Sequence, residues 1–334
     1  MTTVTFVGAG KYSDVFKVSA RGKTVIMKLS YYRDTTWSDF VKKMRLGDVD
    51  GARKTKNRDA IMVAAAFANA TNELVMRGIS PHFVVVYCHA DCRDVAPKLK
   101  ALIQERVKSS TKVQMKLNNA CFMEVFSGDM TKWLRGRSVL TDASVRAAIF
   151  GVVYTLAAVQ RVYPGFRHND LSTNNVLIKK LRRPMRASYA IDGRTFYVTA
   201  PVLAAISDYD FTHVPGHAKL SNERVIGGRY RVTAAPNPTY DTHFFLKSVL
   251  KSLHGKFKRP GALPETQRFL RSLPLNMLED RLDTQPVAGI APAELLGHAY
   301  FGPLLQRPAT ANVDAAYAAP NAATSLAAPN ATST

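Results

Sequence analysis

The chain has 334 residues, of which 46% are hydrophobic and 21% are charged. This balance excludes a disordered or fibrous chain and suffices for one large core or two modest ones. Lysine and arginine number 46 against 25 acidic residues, which gives a formal net charge of +21. The excess predicts an acidic partner, such as nucleic acid, a nucleotide phosphate, a membrane surface or an acidic protein.

Cysteine content and hydropathy indicate where the protein works. The three cysteines, Cys88, Cys92 and Cys121, are too few for a disulfide framework, and no apolar segment near the start resembles a secretion signal. Apolar runs such as Ile61–Ala68 and Ala147–Val159 fall short of the roughly 20 apolar residues that span a bilayer. We expect a soluble intracellular protein without a membrane span.

The first part of the chain predicts a small antiparallel sheet with one main helix. Apolar residues alternate over Val4–Gly8, Val15–Val18 and Thr24–Leu29, with glycines and charges between them. The polar, basic run from Arg33 to Lys56 is predicted to form solvated loops. After it, apolar residues at helical spacing predict a helix over Arg58–Arg77.

The second part of the chain is predicted to be mainly helical. An insertion over Lys180–Leu203 separates two short strands and contains an Asp192-Gly193 hairpin turn. Beyond residue 307 the composition reduces to Ala, Pro, Asn, Ser and Thr, which predicts a flexible tail that is dispensable for catalysis. The prediction is therefore an α+β chain with a break at the Ser-Gly-Asp of 127–129 and with regions 1–126, 127–307 and 308–334.

Two segments in the first part carry residue types suited to phosphate binding. A Gly-rich turn between two predicted strands lets backbone amides approach a phosphate, and the valine after it can cover an adenine ring. A lysine ends the next apolar strand, and its candidate partner is a glutamate of the predicted helix. Taken singly, an ordinary hairpin turn and a solvated lysine explain these segments as well. The residues are Gly8, Ala9, Gly10, Lys11, Ser13, Val15, Lys28 and Glu73.

Two segments in the second part combine carboxylates with an amide. In the loop that starts at His168, Asp170 can accept a hydroxyl proton, and Asn175, five residues later, can hold Mg²⁺. Asp208 follows an apolar strand and can chelate the Mg²⁺ that bridges phosphates. By itself, the second segment is more typical of a polar turn that closes a strand.

The order of these five features resembles the protein kinase superfamily from about Thr5 to Leu305. The resemblance implies a bilobal fold, ATP and Mg²⁺ as cofactors, and transfer of the γ-phosphate to a protein hydroxyl, more often serine or threonine, with Asp170 as the catalytic base. It also implies a hinge in which the Glu124 carbonyl and the Phe126 amide read adenine, with Asp129 near the ribose. The Asp-Tyr-Asp triplet at 208–210 and the insertion before it are similar to the divergent haspin-like kinases of large DNA viruses.

Departures from the kinase pattern leave the acceptor open. Ser13 replaces the third glycine of the phosphate loop, and Asn169 replaces the arginine before the catalytic aspartate. Small-molecule kinases of the choline and aminoglycoside type share the fold and are the first alternative, and a pseudokinase scaffold is the second. Asn169 has no charge to pair with a phosphate, so we expect activity without phosphorylation between Asp208 and Pro236.

The resemblance and the net charge together define the expected partners. A protein substrate is implied, and an acidic one is compatible with the basic surface. The charge of +21 also predicts weak association with nucleic acid at low salt. A viral kinase of this kind would be found in the host cytoplasm or nucleus, or packaged in the virion.

Overall fold

The computed structural model describes residues 2–10, 13–93, 99, 117–136, 139–228, 232–275, 289–307 and 312–320. The chain divides into two compact units, Met1–Asn69 with Val85–Val125 and Ala70–Val84 with Phe126–Thr334. The change of unit near Phe126 lies next to the break predicted from the sequence, while residues 70–84 belong to the second unit rather than to the first. Helices and antiparallel strands occur together, which confirms the α+β prediction.

The first unit is built on a five-stranded antiparallel sheet with the strand order β1-β2-β3-β5-β4. Alternation of apolar and polar residues places one face of the sheet on a core of buried side chains. Phe16 and Leu29, the most deeply buried members of this core, are fully covered, and Met27, Tyr31 and Ala120 complete it. The strands are β1 (Thr2–Ala9), β2 (Ser13–Ala20), β3 (Lys23–Tyr31), β4 (Val86–Arg93) and β5 (Leu117–Met123).

Two helices stand where the sequence predicted solvated loops, so that prediction is wrong. They are α1 (Asp34–Arg45) and α2 (Val49–Asn57), and α3 (Ala60–Met76) follows them. The Asp48 carboxylate caps α2 by accepting the amide of Gly51 at 2.8 Å. Lys43 Nζ on α1 donates to Thr55 Oγ1 on α2 at 2.8 Å. The helix α2 carries no apolar stripe, since it buries only Ala52 fully, and it therefore escapes a search for hydrophobic periodicity. In α1, by contrast, Trp37, Phe40, Val41 and Met44 repeat at helical spacing, a signal that the basic residues around them obscured.

The second unit has a four-stranded sheet built on a long two-stranded ribbon. Its strands are β7 (Val176–Ile191) and β8 (Arg194–Ile206), and β6 (Gly128–Asp129) pairs with the start of β7. Asp192 and Gly193 turn the ribbon with φ of 52° and 68°, as the Asp-Gly pair predicts. The separate short strands predicted on either side of the insertion are thus parts of one continuous hairpin, interrupted by an irregularity between Lys180 and Met185.

A strand lies in the region that the composition predicted as a flexible tail. This strand, β9 (Ala315–Ala318), runs parallel to β7 opposite Ala187–Ala190. The ring of Tyr317 stacks on Tyr189 with 5.2 Å between centroids. Just before the strand, the Asp314 carboxylate accepts the backbone amide of Arg186 at 3.0 Å. Pairing with an edge more than 120 residues away orders a sequence whose own composition could not form a core.

Helices complete the second unit, and one of them is long and apolar. A capping box between Thr141 and Ser144 starts this helix, α5. It has the length and hydropathy of a membrane span, but 83% of its most apolar window is buried inside the protein, as in the core helix of a globular domain. The helices are α4 (Met130–Arg135), α5 (Asp142–Val162), α6 (Glu223–Ile226), α7 (Tyr240–Phe257), α8 (Pro264–Ser272) and α9 (Pro292–Leu295).

Candidate functional site

A buried carboxylate holds the loop between α5 and β7. Asp241, in the first turn of α7, accepts the backbone amides of His168 at 2.7 Å and Asn169 at 2.9 Å. Burial raises the pKa of this carboxyl, while these two amides and the charges of His168 and Arg167 oppose that rise. Two hydrogen bonds from backbone amides to the Asp241 carboxylate fix the backbone immediately before Asp170.

The same loop is tied to the segment that follows β8. His168 Nε2 lies 2.9 Å from the backbone oxygen of Ser207 and donates to it, because a carbonyl can only accept. The side-chain amide of Asn169 donates to the backbone oxygen of Phe211 at 2.9 Å. Asn169 has a φ of 63°, a left-handed conformation that asparagine tolerates better than most residues. These contacts hold the loop against residues 207–211.

Asp170 and Asn175 form a hydrogen-bonded pair. The Asn175 amide nitrogen donates to the Asp170 backbone oxygen at 2.7 Å and to its carboxylate at 3.1 Å. The pKa of the Asp170 carboxyl is raised to about 6, mainly because burial disfavours the charged form and further because the Asp208 charge lies nearby. The two aspartates and the asparagine predicted to act together are therefore close to one another.

Strand pairing positions Asp208 beside this pair. Val176 and Ile206 are register partners, and the Ser207 amide donates to the Asn175 backbone oxygen at 2.9 Å. Asp208 itself has a φ of 68°, so the chain turns sharply as it leaves β8. The residues that follow β8 and those that precede β7 thus lie at the same end of the ribbon.

The chemistry of these side chains fits Mg²⁺. The side-chain nitrogen of Asn175 donates to Asp170, so the side-chain oxygen of Asn175 points away from Asp170. A divalent cation would relieve the repulsion between Asp170 and Asp208 that raises the Asp170 pKa. Among the described residues no three His, Cys, Asp or Glu side chains form a metal cluster. Two protein ligands with phosphate and water completing the shell are what Mg²⁺ usually takes at nucleotide sites.

The residues predicted to contact adenine and ribose lie on either side of the change of unit. In the first unit, Glu124 Oε1 accepts the Val85 amide at 3.0 Å. In the second, Asp129 caps α4 by accepting the Lys132 amide at 2.8 Å, and Lys179 Nζ lies 5.9 Å from the centre of the Phe126 ring. A cavity of about 260 Å³ adjoins this part of the second unit and is lined by Ser127, Gly128, Asp129, Lys132, Trp133, Gly136, Ile178 and Lys180.

The Gly-rich turn of the first unit joins β1 to β2. Gly8 pairs with Val15, and the amide of Gly10 donates to the backbone oxygen of Ser13 at 2.7 Å. Ala9 pairs with Asp14, and Lys11 lies outside the described residues. Val15 is also the register partner of Lys28 on β3. Directly opposed residues of an antiparallel pair share a sheet face, so Val15 and Lys28 lie on the same face.

Glu73, the predicted partner of Lys28, belongs to the second unit. Within that unit its carboxylate forms an ion pair with Arg77 Nη1 at 3.3 Å, one helical turn away. The pairing of Lys28 with Glu73 stays a prediction.

The sequence analysis missed one arginine next to the loop. Arg167 is fully buried, and its backbone pairs with that of His213 through two hydrogen bonds of 2.9 Å. Its guanidinium donates to the backbone oxygen of Thr233 and lies 5.9 Å from the centre of the Tyr240 ring. A single arginine before the loop carries no spacing signal that would have revealed it.

Comparison with known proteins points to one class. Residues 149–260 match the family model of the poxvirus serine/threonine protein kinases. A protein of Acanthamoeba polyphaga mimivirus, whose name describes it as a putative serine/threonine-protein kinase, is 24% identical over 157 residues. That match covers 44% of this chain and 33% of the mimivirus protein, so the chain spans about a third of the length of this relative. The findings support a divergent viral protein kinase-like protein, and the α+β architecture is consistent with a bilobal kinase-like fold.

Proposed function

We propose that this chain is an ATP-dependent protein kinase that phosphorylates serine or threonine side chains. The observation that supports the proposal most strongly is the hydrogen-bonded pair of Asp170 and Asn175 beside Asp208. All three residues lie inside the segment that matches the poxvirus kinase family.

Asp170 acts as the catalytic base in this proposal. A carboxyl with a pKa of about 6 is largely ionised at neutral pH yet basic enough to accept a hydroxyl proton. The side-chain amide of Asn175 orients the Asp170 carboxylate, and the backbone hydrogen bonds to Asp241 keep the preceding residues in place. The protein thus contributes mainly positioning and charge.

Nucleotide contacts are assigned in each unit separately. Asn175 and Asp208 bind Mg²⁺, which when present neutralises the charge of the phosphates. Lys28 contacts phosphate oxygens, and the backbone amides of Gly8, Ala9, Gly10 and Ser13 approach them; the pairing of Lys28 with Glu73 stays a prediction. The adenine lies against Val15 and the backbone of Glu124 and Phe126, and the ribose lies near Asp129.

A panel of acceptors tests the proposal against its alternatives. The purified chain is incubated with γ-labelled ATP and Mg²⁺ in the presence of histones, casein, choline or an aminoglycoside. We expect label on serine or threonine of a protein and loss of label in EDTA. Asp170→Asn should lose the activity, while Asp39→Asn, an exposed carboxylate of α1, should keep it. Label on choline or the aminoglycoside instead would identify a small-molecule kinase, and absence of transfer to every acceptor would favour a pseudokinase.

A further inference from the structure

A second cavity opens on the second unit where two helices end. It has a volume of about 530 Å³ and lies at the C-terminal ends of α4 and α7. Pockets that bind small ligands or side chains commonly have volumes of about 300–1,000 Å³. Its lining residues are Arg135, Gly136, Lys251, Ser252, His254, Gly255, Lys256 and Arg259.

The lining is strongly basic. Four of these eight residues are lysine or arginine, and none is acidic. Helix C-termini attract cations, and Lys256 meets that need because its Nζ donates to the backbone oxygen of Gly136 at 2.8 Å. That effect does not account for Arg259, which lies beyond the end of α7. The cavity therefore carries more positive charge than the helix ends require.

The basic cavity adjoins the smaller cavity at Asp129. Gly136 lines both of them, so they meet at the C-terminal end of α4. A chain that occupies the basic cavity would lie next to the proposed nucleotide-binding residues of the second unit.

We propose that this basic cavity is a docking site for an acidic segment of a partner protein, one that carries aspartate, glutamate or phosphoserine. Carboxylate and phosphate groups complement its arginine and lysine side chains. Nucleic acid fits less well, because single strands are usually held by aromatic side chains that stack on bases, and none of the described lining residues is aromatic. Use of the cavity to select substrates rests on the proposed kinase function, whereas binding of an acidic segment does not.

Gly255 allows a variant that blocks the cavity from within. A Cβ built at this glycine meets no heavy atom within 4 Å, so a side chain can start there without a clash. Gly255 also lies inside α7, where replacement of glycine favours the helix. Gly255→Glu places a carboxylate among the basic residues, and Gly255→Gln adds a side chain of the same size without the charge.

The experiment measures peptide binding directly and without ATP. The probe is a fluorescein-labelled peptide with six consecutive glutamates. Its binding to the full chain is measured by fluorescence anisotropy at about 150 mM salt. We expect Gly255→Glu and Lys251→Glu to weaken binding at least tenfold and Gly255→Gln to change it less than threefold. Arg182→Glu makes the same charge change as Lys251→Glu at an exposed residue of β7 outside the cavity, and it should leave binding within threefold of the original.

Three results would overturn the proposal. Equal weakening by Arg182→Glu and Lys251→Glu would show that net charge alone attracts the peptide. Unchanged binding in Gly255→Glu would place the peptide elsewhere. The third result concerns a single-stranded oligonucleotide of equal charge. If it binds more tightly than the peptide and loses that binding in the Gly255→Glu variant, the cavity is a nucleic-acid site. Because these readings need no catalysis, failure of the kinase proposal would leave them unaffected.

Discussion

The carboxylate of Asp241 accepts the backbone amide of His168 at 2.7 Å, although the two residues are 73 positions apart in the chain. The adjacent amide of Asn169 bonds to the other carboxylate oxygen at 2.9 Å. One side chain of α7 therefore fixes the backbone that leads into Asp170. Both the stability of the second unit and the geometry of the proposed base depend on this contact.

Replacement of Asp241 by asparagine should impair both properties. An amide has a single acceptor oxygen, and its NH₂ group would face one of the two backbone donors. We expect the free energy of unfolding to fall by about 1–3 kcal/mol, the usual cost of leaving a buried donor unpaired. Phosphate transfer should fall at least tenfold because Asp170 loses its fixed position. Thermal unfolding and initial rates measure the two effects, and Asp39→Asn serves as the exposed control. Normal rates in a stable Asp241→Asn protein would contradict this account.

Acid should destabilise the second unit through His82. This side chain is fully buried, and burial lowers its pKa from 6.5 to about 4. Its Nδ1 donates to the Ala204 backbone oxygen at 2.7 Å, and its Nε2 accepts from the Tyr189 hydroxyl at 3.0 Å. The folded protein therefore keeps His82 neutral, whereas the unfolded chain binds a proton below about pH 6.5. Its contribution to stability is complete above that pH and is lost as the pH falls towards 4.

The expected slope is up to about 1.4 kcal/mol per pH unit for one proton. Denaturant unfolding at several pH values between 4 and 7 measures it. His82→Gln removes the titrating group, so its stability should depend less steeply on pH than that of the original protein. Identical slopes for the two proteins would show that His82 binds a proton as readily in the folded protein as in the unfolded chain.

Removal of β9 should lower the melting temperature. Truncation after Arg307 deletes four strand pairs with β7 and the Tyr317–Tyr189 stack. Cross-strand and aromatic contacts of this kind contribute about 1–3 kcal/mol in total, which corresponds to a decrease of several degrees. Truncation after Pro320 keeps β9 and should leave the melting temperature unchanged. Equal melting temperatures for both truncations would mean that β9 contributes nothing to stability.

Activity should not require phosphorylation of the segment after Asp208. Two backbone hydrogen bonds between Arg167 and His213 already anchor this segment. The buried Ser221 hydroxyl also donates to the Val214 backbone oxygen at 2.8 Å. Between Asp208 and Pro236, Thr233 is exposed whereas Thr212 is buried. Phosphatase-treated protein with Thr233→Ala should keep its rate within about threefold. A loss above tenfold, about 1.4 kcal/mol of barrier, would show that a phosphate is needed.

The loop from His168 to Asn175 could be predicted because its chemistry lies in consecutive residues. Spacing alone placed Asp170 and Asn175 together, and strand endings placed Asp208 near them. The Asp192-Gly193 turn was equally accessible, since positive φ at both positions favours that dipeptide. Such features depend on neighbours in the sequence.

Features that depend on distant partners could not be predicted. The strand β9 consists of Ala-Ala-Tyr-Ala, and only the free edge of β7 makes it a strand. The helix α2 presents a charged surface, and the Asp48 cap and inter-helix contacts such as Lys43 with Thr55 stabilise it. Arg167 is held beside the loop by two backbone hydrogen bonds with His213. None of these contacts leaves a periodic pattern in the chain.

In the proposed reaction, Asp208 and its neighbours take part in transfer of the γ-phosphate of ATP to a protein. The most direct measurement compares the rate of label transfer to casein or histone by the original protein and by Asp208→Asn. Asparagine tolerates the φ of 68° at this position, so the variant should melt at the same temperature. The account predicts label on serine or threonine and a rate at least about 10²-fold lower in the variant, about 2.7 kcal/mol of barrier. Equal rates in the two proteins, or no transfer to any protein by the original chain, would contradict it.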